Sequence, residues 1–221
     1  MRAAFFDLDK TVIAKASVVA LGPELRAKGF IQRRTLARAV FGQLMFLWFG
    51  ADHNKMEKFR EQMLAIAKGW DRQEVRALVT ETLSEVIEPL IYREALELID
   101  HHLAAGDEVW IVSSSPAEIV EPFADIIGVT GAIASRAEVD ERGRYTGRLE
   151  FFCQGDNKAV AMRALASERS LDLANSSAYS DSETDVAMLT AVGHPFAVNP
   201  DRSLARIAQD NSWPTLVFSH P

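Results

Sequence analysis

An α/β fold is what this sequence predicts: a doubly wound parallel sheet of Rossmann-like type, with a helical bundle inserted after its first strand. Three observations predict it. From about residue 87 onward, short apolar runs ending in polar residues alternate with helical segments, the pattern of a parallel sheet flanked by helices. Directly after the first such run the pattern turns helical and stays so to residue 86. The length of 221 residues suits one core domain plus a modest insert, and 48% hydrophobic with 25% charged residues is ordinary globular composition. The core is expected over 1–14 and 87–221, and the helical cap over 15–86.

The first element is Ala3-Ala4-Phe5-Phe6, an apolar run too short for a helix and cut off by Asp7, so a buried strand. Four candidate helices follow: Ser17–Lys28, Arg33–Phe49, Asn54–Lys68 and Asp71–Val86. Gly29, Gly50 and Gly69 stand where three of them would end, and Asp71 with Glu74 reads as an N-cap with its partner three residues on. After Pro89, Tyr92–Ala105 is helical and Gly106 stops it. Glu108–Val112 is a strand running into Ser113-Ser114-Ser115, and Ser115, Pro116 and Glu118 read as cap, first residue and box partner of the next helix. A short strand near Ala132–Ser135 and a hairpin over Glu138–Leu149, turning at Glu141-Arg142-Gly143, come next. Asn157–Arg169 is a helix, Ser177–Ser180 a strand, Asp185–Ala191 helical, Pro195–Val198 a strand and Trp213–Phe218 the last strand.

Composition narrows the functional classes. The 24 Lys and Arg against 31 Asp and Glu give a net charge of −7, which argues against a general nucleic-acid binder. One cysteine, Cys153, leaves no intramolecular disulfide partner and no multi-cysteine zinc site. The five histidines have no metal-binding spacing with one another. No secretory signal is expected, because Asp7 and Asp9 interrupt the apolar start. The most apolar stretch, Ala39 to Gly50, falls short of the about 20 residues a membrane span needs. A cytoplasmic location is expected.

In an open parallel sheet, ligands bind beyond the carboxyl ends of the strands. Those ends carry Asp7, Asp9 and Thr11 after the first strand, Ser113 and Ser114 after the second, and Asp181 with Asp185 after Ser177–Ser180; Lys158 opens its helix. Carboxylates gathered at one point repel unless a cation joins them, and Mg2+, hard and oxygen-seeking, suits such a set. Hydroxyls, an ammonium and helix N-terminal amides suit a phosphate. Metal, phosphate cradle and a spare carboxylate together make a phosphoryl-transfer site.

The run Asp7-Leu8-Asp9-Lys10-Thr11 after an apolar strand resembles the DxDxT motif of the haloacid dehalogenase (HAD) superfamily of phosphatases. Ser113 resembles its second motif, Lys158 in Gly-Asp-Asn-Lys the third, and Ser180-Asp181-Ser182-Glu183-Thr184-Asp185 the fourth. The ordered set covers nearly the whole chain, and the helical insert is similar to the cap of the phosphoserine-phosphatase-like branch. The resemblance implies Asp7 as nucleophile and Asp9 as general acid and base. It implies Mg2+ held by Asp7, the main-chain carbonyl of Asp9 and Asp181, with Asp185 behind them. Thr11, Ser113 and Lys158 would bind the phosphoryl oxygens, and Ser114 is carried as a further candidate. The acid two residues after the nucleophile favours hydrolysis of a small phosphate ester through an aspartyl phosphate. Transfer to an alcohol acceptor is the rival within enzymes, and a catalytically silent phospholigand-binding or regulatory protein the rival outside them.

Departures from that branch are also expected to matter. Ala16 stands where the family carries the Glu for the substrate amine, and the best register puts Met63 at the Arg for the substrate carboxylate, with Arg60 one turn away. Thr184 replaces an Asn in the fourth motif. The Phe41–Phe49 run has apolar residues on more than one helix face. Bundle core, an apolar substrate wall, a homodimer contact or a weak membrane contact would each accommodate it.

Overall fold

The computed structural model describes residues 1–14, 61 and 64–221, except the side chains of Thr82, Ser84, Glu85 and Val86. The expected helices Ser17–Lys28 and Arg33–Phe49, most of Asn54–Lys68, and Lys15, Ala16, Arg60, Met63 and the Phe41–Phe49 run lie outside the described residues.

Over the described residues one sheet has seven strands: β1 (Ala3–Phe6), β2 (Glu108–Pro116), β3 (Gly131–Val139), β4 (Tyr145–Phe151), β5 (Ser177–Ser180), β6 (His194–Val198) and β7 (Thr215–Leu216). Their order is β4-β3-β2-β1-β5-β6-β7, parallel throughout except for the β3–β4 hairpin. The helices are α1 (Arg72–Ile87), α2 (Arg93–Ala104), α3 (Ala117–Ile126), α4 (Asp156–Arg169), α5 (Val186–Leu189) and α6 (Arg202–Asp210).

β1 explains why its sequence lacks polar alternation. Strand residues face opposite sides in turn. Ala4 and Phe6 join a cluster with Ile99, Val120 and Phe123, under α2 and α3, while Ala3 and Phe5 join Met162, Leu189 and Leu204, under α4, α5 and α6. Both faces are therefore covered, as parallel sheets require. β1 pairs with β2 on one side and β5 on the other, so the three chain segments that leave its carboxyl edge meet.

α1 starts where expected: Asp71 Oδ1 accepts hydrogen bonds from Gln73 N at 2.9 Å and Glu74 N at 3.2 Å. Its Val79, Leu83 and Ile87 are buried in the same cluster as Phe6. Tyr145 N donates to Trp70 O and Gly69 N to Tyr145 O, tying the approach to α1 to the hairpin.

Three expected elements need correction, and one further element joins them. The strand near Ala132–Ser135 and the first hairpin arm are one strand, β3, whose first half pairs with β2 and second half with β4. The helical turn after Asp185 ends at Leu189. The last strand is confined to Thr215–Leu216, because the Asn199 side chain takes over beyond it: its amide donates to Phe218 O and accepts from Phe218 N, both at 3.0 Å. α6 was not among the expected elements. Its signal is Asp201, whose Oδ1 accepts from Leu204 N at 2.7 Å, followed by Leu204 and Ala208 buried four residues apart.

Candidate active site

Asp7 leaves β1 at its carboxyl end, and its N–H still donates to Tyr179 O of β5 at 2.9 Å. The chain then turns sharply: Leu8 O accepts from the N–H groups of Val12 and Ile13 at 3.0 Å, and Lys10 takes a left-handed φ of 65°. A non-glycine residue there is uncommon and marks a loop held by its surroundings. Lys158, from the first turn of α4, reaches the same point. Its Nζ donates to Asp7 Oδ1 at 2.5 Å and to Asp185 Oδ2 at 2.7 Å. Ser180 Oγ donates to the same Asp185 oxygen at 2.7 Å. Asp7, Lys158, Ser180 and Asp185 are all buried.

Burial dominates the electrostatics. It raises the Asp7 carboxyl well above the ordinary range against the pull of Lys158, and the charges of Asp185, Asp181 and Asp9 add to the rise. Burial likewise pushes Asp181 up to about 7, with Lys10 and Lys158 offsetting only part of it. Burial works against the Lys158 ammonium too, but Asp185 and Asp7 outweigh it and hold its pKa above the usual lysine value.

The second strand end brings Ser113 and Ser115 to one buried face and leaves Ser114 exposed between them. Ser115 is not a helix cap. Pro116 occupies the N-cap position of α3, and the Ser115 hydroxyl instead donates to Asp9 Oδ2 at 2.8 Å. Ser115 N donates to Ser113 Oγ at 3.0 Å. Nor does Glu118 complete a capping box: it is buried and bonds to Tyr145, whose hydroxyl pKa rises chiefly through burial. Among the described residues, Thr11 Oγ1 is a buried hydroxyl with no hydrogen-bond partner. Such a group is left for a ligand to satisfy.

The fourth motif is fixed by a residue absent from the sequence-based set. Asp201 N donates to Asp181 O at 2.8 Å, and Asp201 Oδ2 accepts from Glu183 N at 3.0 Å, while its other oxygen caps α6. Cys153 is buried, and burial pushes its thiol up to about 12, an inert setting.

The donor set suits a hard cation. Asp7, Asp181 and Asp185 are three buried carboxylates; the Lys158 ammonium is shared between Asp7 and Asp185, and burial raises Asp181 despite Lys10 and Lys158. Among the described residues no group of three His, Cys, Asp or Glu side chains forms a metal cage. Two carboxylates and one main-chain carbonyl, the set the family resemblance implies, call for no such cage, since Mg2+ commonly keeps several waters.

The sequence profile of the haloacid dehalogenase-like hydrolases matches residues 4–190. The chain belongs to this family. Among curated relatives, a Streptomyces azureus protein named for inhibition of morphological differentiation is 47% identical over 99% of this chain and 79% of its own length. A phosphoserine phosphatase of Mycobacterium tuberculosis is 36% identical over 96% of this chain and 69% of its own length. A crystal structure from Bordetella pertussis, of a protein described as having unknown function, superposes with a TM-score of 0.83 at 31% identity, covering 97% of each chain. The HAD fold accounts for the β1, β2 and β5 ends meeting around Asp7. Ser115, Ser180 and Asp201 are the contributors that motif reading left without a site role.

Proposed function

We propose that this protein is a Mg2+-dependent phosphatase that hydrolyses a small phosphate monoester through an aspartyl phosphate on Asp7. The observation that carries this reading is the buried Asp7–Lys158–Asp185 arrangement at the edge of β1, with Asp9 two residues on. A carboxylate so placed is a nucleophile, and a second one nearby on the same loop is an acid.

Asp7 forms a bond to phosphorus while the bond from phosphorus to the ester oxygen breaks, and Asp9 gives that oxygen its proton. Water then attacks phosphorus, its proton passes to Asp9, and the Asp7–phosphorus bond breaks to release phosphate. Lys158 directs Asp7 through its hydrogen bond and opposes the rise that burial imposes on the carboxyl. Ser113 and the unpartnered Thr11 hydroxyl offer hydrogen bonds to phosphoryl oxygens. Asp7, the Asp9 carbonyl and Asp181 would hold Mg2+, with Asp185 supporting them through Lys158. When bound, the cation supplies neutralisation of charge on the phosphoryl oxygens.

The phosphoserine phosphatase named among the relatives supports a small phosphorylated alcohol as substrate. Ala16 and Met63, which the sequence sets against phosphoserine itself, make comparison of phosphoserine with simpler alkyl phosphates the informative screen.

The decisive variant is Asp7→Asn. It should abolish Mg2+-dependent hydrolysis of p-nitrophenyl phosphate, and fluoroberyllate should inhibit the parent protein only when Mg2+ is present. Turnover by the variant near the parent rate overturns the nucleophile. Its thermal midpoint in chelator should equal or exceed the parent's, because a neutral amide replaces a carboxyl that burial already disfavours as an ion.

A further inference from the structure

We propose that Ser115 is a positioning residue for Asp9, the hydroxyl that fixes which oxygen of the acid faces the substrate. The inference rests on the reading of Asp9 as general acid. Its basis is a bond between chain segments 106 residues apart, Ser115 Oγ donating to Asp9 Oδ2 at 2.8 Å.

The backbone around Ser115 is built to deliver that hydroxyl. Along β2 the register against β3 runs Val112 to Ile133 and Ser113 to Ala134, then jumps to Pro116 opposite Ser135. Ser114 and Ser115 are therefore bulged out of the ladder. Bulges next to active sites re-aim a side chain. This one is pinned on both sides. Ser135 Oγ donates to Ser114 O at 2.8 Å and itself accepts from Cys153 N at 3.0 Å. Ser115 N donates to Ser113 Oγ at 3.0 Å. Ser115 is buried and Asp9 half-buried, so the bond is partly shielded from water.

The consequence is specific to proton transfer. A carboxyl that accepts from Ser115 at Oδ2 carries its transferable proton on Oδ1. The acid then enters each turnover in one orientation, with its proton on the oxygen that meets the ester. Without the hydroxyl Asp9 loses the bond that marks Oδ2 as the acceptor, so protonation of the leaving oxygen is slowed. The placement of Asp7 by Lys158 is untouched. Ser113 keeps its bond from the residue 115 N–H, a main-chain group that substitution retains.

Substrates that need the acid are therefore affected, and substrates that do not are spared. An alkyl phosphate leaves as a strongly basic alkoxide unless protonated, whereas p-nitrophenolate leaves readily without a proton. Ser115→Ala should lower kcat/KM for an alkyl phosphate such as phosphoserine or glycerol phosphate, whichever the parent turns over, by about tenfold or more. The same variant should change kcat/KM for p-nitrophenyl phosphate by less than about threefold, and inhibition by inorganic phosphate should stay at the parent value. Ser115→Thr, which keeps a hydroxyl, should restore the alkyl-to-aryl ratio, and Ser115→Cys, a weaker donor, should fall between Thr and Ala.

Equal losses on both substrates, or an unchanged ratio, overturn the proposal. If Ser115→Ala does not fold, the Thr and Cys variants decide alone: a ratio lowered in Cys and kept in Thr supports it, and identical ratios overturn it. Asp9→Asn separates this idea from the reading beneath it. If Asp9→Asn shows no preference for the aryl ester, the acid assignment fails. If it does and Ser115→Ala does not, only the role of Ser115 fails.

Discussion

Two carboxylates share the Lys158 ammonium, Asp7 at 2.5 Å and Asp185 at 2.7 Å, in a setting that burial has stripped of water. Removing one partner of a buried ion pair leaves the others unpaired, which is worse than never having built the pair. Lys158→Met should therefore destabilise the protein by about 3–5 kcal/mol in denaturant unfolding. Turnover should fall by about a hundredfold or more, as for loss of a charged donor at a reacting centre. Adding Asp185→Asn to that variant should recover part of the stability but none of the activity. A lone Lys158→Met protein as stable as the parent would mean that Asp7 and Asp185 are neutral in the fold. The residues of this cluster were legible because each sits at a strand end or helix start that the local pattern marks. Ser115 and Asp201 were not, because their roles rest on a bulge and on contacts 106 and 18 residues distant. A one-dimensional pattern carries neither.

At the scale of elements, the strands buried on both faces were the most readable. β1 and β5 have the bounds that their flanking polar residues set. The less readable ends are those where a side chain substitutes for backbone pairing. Asn199, at a φ of 42°, closes the sheet beyond β7 with its amide, so a stretch of apolar sequence stops being a strand. The entry to β6 shows how closely elements can approach. Gly193 N donates to Leu173 O at 2.9 Å, and a Cβ on Gly193 would lie 1.8 Å from Ala174 O. That oxygen is main chain and belongs to the short turn Leu173–Asn175, itself closed by Asp172 accepting from Asn175 N. The turn cannot retreat without breaking these bonds. Gly193→Ala should lower stability by about 1–3 kcal/mol, the usual penalty of overpacking, although residue 193 is remote from the catalytic carboxylates in sequence and role. Thermal unfolding measures it, and a midpoint at the parent value would show that the turn yields freely.

On the scale of the molecule, the segment Phe218-Ser219-His220 folds back onto the start of α2. Ser219 N donates to Glu94 Oε1 at 2.9 Å, His220 Nδ1 lies 2.9 Å from the same oxygen, and Arg93 N donates to His220 O. Tyr92 and Phe218 meet edge to face beside them. The sequence gives Phe218 as strand and marks nothing at Ser219, since the partner lies 125 residues away. The Ser219 amide, then the His220 ring, hold the Glu94 carboxyl down at about 2, against an ordinary value of 4.5. A depressed folded pKa means that the unfolded chain takes up the proton first as pH falls. The clasp thus contributes its full stability above about pH 4.5, loses it progressively below, and has lost it near pH 2. The Glu94 side chain is about a quarter exposed, so salt should weaken the effect without abolishing it. Glu94→Gln, which cannot ionise, should be less stable than the parent at pH 6 and converge on it as pH approaches 2. Thermal midpoints of both proteins across that range, in chelator so that metal binding adds no pH dependence of its own, measure the difference. Curves that stay parallel would show that Glu94 is not held in its charged form by Ser219 and His220.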